Sequence, residues 1–438
     1  MDYRKITGES VKDEKKRSVG LMDKIKLNEL EYKSPLYSAP ISLRNQRKFP
    51  FAQSSYSIGQ TMLITLQSAS FYLDPYNSYL TFDVELTGGT NGDKFGFGRG
   101  SALNLIKSVV VTSRSGTELS RVDGVNFYRA KVDRYTKSQD WFSSDGNNAG
   151  YHTGDSVDGE HLTIGANTDH TGADNPTGEA RDRFCIPLPM VSPLFAPENS
   201  RYLPPFLCSG LRVEIQLAQL SEAFIKSVNT GTVTCKITNA AFMCDLVKMS
   251  DKVDSVMTSL AHKGGLEVVI SEWDLFSTVT SSEKNTIDIN KTASKADKVI
   301  VAVRDSTHVS SLAHDGMMSK DYDIATFQSR LGSVYHPQVP IDSRPEAFQN
   351  ALLLFKSMRK NEKDFSYVNR SSYHDRYAVV GTNLGRSSLL DSQCVPLNNS
   401  HSLSLSVGFT SSTSRQIDAY LVYKKVIKVF TNNCIVYE

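Results

Sequence analysis

Apolar and polar residues alternate strictly in several short stretches of this chain. Met62, Ile64 and Leu66 point one way and Thr61, Thr65 and Gln67 the other; Leu80, Phe82, Val84 and Leu86 alternate with Thr81, Asp83, Glu85 and Thr87. A period of two places one side of a strand on a core and the other toward water or a neighbour. Leu211, Val213, Ile215 and Leu217 repeat the pattern, as do Leu403, Leu405, Val407 and Phe409 among serines. Less regular apolar runs predict a short strand at 109–112, a strand pair over 233–249, further strands at 266–276, 286–289, 298–303, 327–335 and 376–380, and a closing strand region at 416–437. Gly88-Gly89 and Asn91-Gly92 mark a turn. Six prolines from Pro187 to Pro205 exclude regular helix and central strand there.

Helical spacing is rarer. Val122, Val125, Phe127, Ala130 and Val132 predict a helix over 122–135, packed on a sheet. Pro345 opens a second helix, 346–358, with Phe348, Ala351, Leu352 and Phe355 on one face. Residues 253–260 predict a helix that links two halves. Each half runs through the same order: strands, a helix, a polar excursion, one strictly alternating strand, then a closing apolar strand region. GLRVEIQLA in the first half answers HSLSLSVGF in the second. The repeat is one of pattern, with negligible identity. Eight or so short strands per half suit a jelly roll. The predicted fold is all-β: two consecutive jelly-roll sandwiches with short flanking helices, the first over 49–250 and the second over 251–438.

Two segments stand outside this pattern. Residues 1–48 carry twelve Lys/Arg against seven Asp/Glu, a net of about +5, and read as a basic arm with at most one short helix at 24–32. Residues 137–182 carry seven Asp and two Glu against one Lys and one Arg, with repeated Gly and Asn. This stretch reads as a long acidic surface loop with no apolar stripe to bury.

Length and composition fit that picture. The chain has 438 residues, 39% hydrophobic and 22% charged, which suits two globular domains able to bury their own cores. The net charge of +2 gives no bulk argument for nucleic-acid binding. Six cysteines at 185, 208, 235, 244, 394 and 434 form no CxxC pair and read as small buried hydrophobes in a reducing compartment. The first twenty residues are polar and charged, unlike a secretory signal, and the longest pure apolar run, 351–355, is far short of a membrane span.

Four stretches carry a resemblance. They are SSYSIGQTMLITL leading into NSYLTFDVELTGG; IKSVVVTSRSGTELSRVDGVNFYRA; FCIPLPMVSPLF with LPPFLCSGLRVEIQLA; and SRLGSVYHPQVPID with its following helix and the terminal LVYKKVIKVFTNNCIVYE. In this order the chain resembles the double jelly-roll major capsid proteins of Polinton-like viruses and virophages, over most of residues 50–438. The resemblance implies a structural protein of the virion of a DNA virus, assembled in the host cytoplasm or nucleus. It implies a homotrimer, a pseudo-hexameric capsomer of six jelly rolls in an icosahedral capsid. The implied partners are neighbouring capsomers, with penton and other minor capsid proteins held by the N-terminal arm. The arm also has packaged DNA or an internal membrane surface within its reach, and the outer loops a host receptor.

The residues themselves offer little catalytic chemistry. Gly96-Phe97-Gly98-Arg99-Gly100 lacks both GxGxxG and a Lys-Ser/Thr sequel, and reads as a flexible turn. His152, His161 and His170 recur every nine residues, a spacing poor for a metal site. Asp145, Asn147 and Asn148 lack a calcium-loop pattern. GxSxG and HExxH are absent, and no Cys stands beside a His. Asn290, Asn369 and Asn398 begin glycosylation acceptor triplets. These features read as surface, so no catalytic, cofactor-binding or metal residue is assigned. The alternative is a carbohydrate-binding or carbohydrate-degrading β-sandwich, which needs paired carboxylates or an aromatic platform; Trp141 and Trp273 are the only tryptophans. A receptor-binding spike built of jelly rolls is a third reading.

Overall fold

Eight strands in each half form two four-strand paths, and among the described residues no sheet mixes strands of the two halves. The computed structural model describes residues 41–437 apart from 69, 89–94, 98–99, 152–178, 201, 227–232, 310, 321–323, 357, 359–367, 386–393 and 399–401. The first half holds β1 (Ile41–Pro50), β2 (Thr61–Leu66), β3 (Tyr72–Gly88), β4 (Ile106–Thr112), β5 (Glu118–Asp123), β6 (Glu179–Pro187), β7 (Leu211–Leu217) and β8 (Val233–Met249). The second holds β9 (Leu266–Thr280), β10 (Lys284–Ile289), β11 (Ala293–Asp305), β12 (Ile324–Leu331), β13 (Val334–Ile341), β14 (Val379–Asn383), β15 (Leu403–Phe409) and β16 (Arg415–Val429).

The sheet orders are β1-β8-β3-β6 and β2-β7-β4-β5 in the first half, and β9-β16-β11-β14 and β10-β15-β12-β13 in the second. Each strand n of the first half therefore has a counterpart n+8. This is the jelly-roll order, present twice, as the alternation predicted. Met62, Ile64 and Leu66 are buried, as are Leu80, Phe82, Val84 and Leu86, so the inward register was legible in the period of two.

The helices include α1 (Val125–Thr136), α2 (Gln139–Ser143), α3 (Asp145–Asn148), α4 (Asp251–Lys263), α5 (Arg344–Lys356) and α6 (Arg370–Arg376). Residues 43–438 form one compact unit.

Several expectations are corrected. The arm does not run to residue 48, because Ile41–Pro50 is strand β1 at the edge of the first sheet. The helix 122–135 begins later: Val122 lies in β5 opposite Val109, and Gly124, with φ of 62°, turns the chain into α1. Glycine is needed there because a Cβ would stand 2.9 Å from both Leu275 and the Tyr420 hydroxyl. Residues 233–249 are one 17-residue strand, not a pair; Asn239, at φ 53°, sits in a register shift that lets the strand continue. The strand expected at 327–335 is a hairpin, β12 and β13, turning at Gly332 with φ 59°. Arg376, expected to open a strand, ends α6; the strand starts at Val379.

The acidic excursion is shorter than its sequence suggested. Its first part folds into α2 and α3, which bury Phe142, and Tyr151 follows them into the core; its last residues, from Glu179, belong to β6. Tyr151 donates to the Asp133 carboxylate at 2.5 Å. The rest of the stretch, with its three histidines, lies outside the described residues, as does the helix expected at 24–32.

Candidate assembly surfaces

Helix α1 joins the two halves. Ten of its twelve residues are buried, far more than one amphipathic face would be. Its far side lies on the outer face of the sheet β9-β16-β11-β14. Tyr128 stacks on Trp273 of β9 with ring centroids 4.0 Å apart and planes at 17°. Phe127 meets Tyr420 of β16, and Tyr135 stacks on Phe355 of α5 at 4.5 Å. The sheet is thus buried on both faces. Val299, Val301 and Val303 of β11 enter the core of the second sandwich, while Ile300 and Ala302 between them join the core of the first half. Two-sided burial explains why β11 and β16 read as continuous apolar runs where β7 and β15 alternate.

Polar groups fix the register of this joint. Lys131 is buried and donates from Nζ to the carbonyls of Met317, at 2.6 Å, and Arg376, at 3.2 Å. Tyr135 donates its hydroxyl to the Tyr377 carbonyl at 2.7 Å, and Trp273 donates Nε1–H to the Asp123 carbonyl at 3.0 Å. Glu272 accepts from the Arg121 amide at 2.7 Å, from Lys425 at 2.8 Å and from the Tyr423 hydroxyl at 3.0 Å. Both carboxylate oxygens are used, which is what a buried carboxylate requires. Burial pushes the phenols of Tyr128, Tyr135 and Tyr420 well above the ordinary tyrosine range, so they stay neutral.

Other surfaces are bare. Strand β13 buries none of its eight residues and exposes Val334, Tyr335 and Val339; Leu353 of α5 is exposed as well. Pro337 and Pro340 remove two amide donors from β13, which suits an edge strand. Strand β1 is exposed along nearly its whole length, with Phe49 its one buried residue.

Several residues weighed as chemistry lie within the described residues. Phe95–Phe97 is a short strand paired with Phe224–Lys226, and Phe97 stacks on Phe224 at 4.9 Å, so the front of the glycine run is core rather than flexible turn. Asp145, Asn147 and Asn148 are exposed on α3. No three His, Cys, Asp or Glu gather as a metal site among the described residues. Asn369 accepts from the Ser372 amide as the N-cap of α6. Trp273 is enclosed and presents no open face for a sugar, while Trp141 is half-buried, edge-on to Phe142 and Tyr151, with Lys137 Nζ 4.9 Å from its ring centroid. Cys208, Cys235, Cys244 and Cys434 are buried; Cys185 and Cys394 are half-buried. Burial raises the thiols of Cys235 and Cys244 to about 12 and of Cys434 to about 11.

The second face of α1 escaped the sequence reading. Its signal was present in Tyr128, Lys131 and Tyr135, large residues outside the set Val122, Val125, Phe127, Ala130 and Val132 on which the helix was read, and all three are buried. The bare apolar strand β13 was also missed, hidden by being read as the end of one strand.

No family model and no curated protein matches the sequence. Solved structures do match. The chain is similar to a chain of the Sputnik virophage structure, at 11% identity over 93% of this chain and 91% of that one, with a TM-score of 0.62. It is similar to a chain of the PBCV-1 virus capsid, at 10% identity over 93% and 99%, with a TM-score of 0.57. It is also similar to the mavirus major capsid protein, at 8% identity over 93% and 92%, with a TM-score of 0.54. The fold is the double jelly roll. It extends through both halves and through the helices that join them, since each match covers nearly all of both chains.

Proposed function

We propose that this chain is a viral major capsid protein of the virophage or Polinton-like kind, with an architectural role and no catalytic one. The observation that carries the proposal is a doubled jelly roll whose halves are joined through a shared core, of the same fold as virion proteins over 93% of its length. Two joined sandwiches per chain suit a ring of three chains and six sandwiches, a near-hexagonal block for the flat faces of an icosahedral shell.

In this reading 49–250 and 251–438 are the two jelly-roll domains, with β1 added to the first. Residues 1–40, rich in Lys and Arg, tie neighbouring capsomers, penton and other minor proteins, with packaged DNA or an internal membrane surface as the alternative contact. The outer loops are where a host receptor would meet the particle. The location is the virion. A sugar-binding sandwich is disfavoured by the enclosed Trp273.

The test is the mass of the purified protein by light scattering after gel filtration. Three chains, held at micromolar concentration and physiological salt, are expected. A stable single chain under those conditions overturns the proposal.

A further inference from the structure

Among the described residues the chain contains one copy of a contact whose two sides recur elsewhere exposed. Within the chain, β5 and α1 of the first sandwich pack on β9 and the sheet behind it. β5 donates its Arg121 amide to Glu272 of β9, and Trp273 of β9 reaches back to the Asp123 carbonyl at the end of β5. The sheet orders match strand for strand, so β13 is the counterpart of β5 and β1 the counterpart of β9. A helix follows each: α1 after β5 and α5 after β13.

The counterparts differ in what covers them. α1 buries ten of twelve residues, whereas α5 buries three of thirteen. β5 buries three of six residues and β13 none of eight; β9 buries four residues and β1 one. The uncovered surface is apolar: of eleven large hydrophobic side chains exposed among the described residues, Val334, Tyr335, Val339 and Leu353 all fall on β13 and α5. On the other side β1 exposes Leu43. Four exposed apolar residues within twenty positions mark a contact surface, where scattered ones would not.

We infer that β13 and α5 of one copy dock on β1 of a second copy, in the arrangement that β5 and α1 make with β9 inside the chain. The partner is another molecule of this chain, because the surface that accepts the β5 edge within the chain is strand β9, and the bare counterpart of β9 is β1. The contact uses a different surface on each copy, so it is head-to-tail and must either close as a ring or run on as a filament. In a ring, contacts within chains and contacts between chains alternate around the sandwiches. This inference rests on the proposed trimer and says which strands build it.

Cross-linking tests it. Two variants, Val339→Cys and Leu43→Cys, are made in a background where the half-buried Cys185 and Cys394 are serine. Both new positions are exposed, so the fold should be kept, and circular dichroism checks it. The trimer fraction is isolated and treated with a short bis-maleimide. Neither single variant should link to itself. Co-expressed single variants should give a linked dimer, and the double variant should give a covalent trimer. Self-linking of either single variant would mean a two-fold contact and would overturn the inference. So would a wild-type trimer in which the 339–43 pair fails to link, and in that case the trimer itself would stand. A wild-type mass of one chain would overturn both.

Discussion

Truncating Trp273 to alanine should destabilise the whole body, not only the strand that carries it. The side chain is 3% exposed and lies between the two halves. Removing a buried aromatic side chain costs about 3–5 kcal/mol, depending on how far the site collapses. Here collapse is opposed from both sides, by Tyr128 on α1 and by the sheet behind it. Loss of the stack adds about 0.5–1.5 kcal/mol. The Asp123 carbonyl also loses its 3.0 Å donor, worth about 1 kcal/mol. The total is about 5 kcal/mol, a large part of the stability of a typical domain. Trp273→Phe keeps most of the stack and loses the hydrogen bond, so it should cost about 1–2 kcal/mol. Urea unfolding at one fixed protein concentration, followed by far-ultraviolet circular dichroism, measures both. If α1 joins the halves, Trp273→Ala shifts a single cooperative transition. A variant that unfolds in two steps, with the first half keeping its wild-type midpoint, would refute the shared core. So would an unchanged midpoint.

Thiol chemistry and pH provide further checks. At pH 8 a disulfide reagent should modify at most Cys185 and Cys394 in the folded protein and all six cysteines in denaturant, because the other four are buried; rapid reaction of Cys208, Cys235 or Cys244 would place them wrongly. His308 is held below the ordinary histidine value by partial burial and by His314, whose ring stacks on it at 4.0 Å. The unfolded chain therefore takes up this proton first, at about pH 6.5, so the stability that neutral His308 contributes is lost as pH falls through that value and levels off below the depressed folded pKa. The melting temperature of wild type should fall more between pH 7.5 and 5.5 than that of His308→Gln; equal slopes would count against the depressed pKa.

What the sequence revealed depends on how many faces an element buries. β2, β7 and β15 bury one face each, so their alternation was plain and their register came with it. β11 and β16 bury two, and an apolar run such as Val299–Val303 says buried without saying against what. The same ambiguity hid the joint between the halves: α1 was read from Val122, Val125, Phe127, Ala130 and Val132, while Phe127, Tyr128, Lys131 and Tyr135 reach residues of the other half. Lys131 would ordinarily read as a solvated residue, and only the carbonyls of Met317 and Arg376, some 190 to 250 residues away, make its burial intelligible. The strand over 233–249 looked like two because a bulge at Asn239 shifts the pairing without ending the strand. Phe142 and Tyr151 were read as part of a surface loop, since Trp141, Phe142 and Tyr151 in an acidic, glycine-rich stretch form no period.

The two outer sheet faces differ in a way that bears on assembly. The face of β9-β16-β11-β14 that receives α1 carries Ile300, Ala302, Tyr420 and Val422. The corresponding outward positions in the first half are polar: Asp83 pairs with Arg183 at 2.6 Å and accepts from Asn239, and Glu85 accepts from Thr238. An apolar face must be covered from the moment of folding, and a covalently linked α1 can do that within one chain. A polar face is stable in water, so the first sandwich needs no cover while the chain folds. On the proposed contact between copies, the asymmetry fits a chain that folds as a joined pair and assembles afterwards. Its between-chain contacts would rest on a modest apolar strip at β13 and α5 with a polar surround, the make-up of an interface formed between molecules that are already folded.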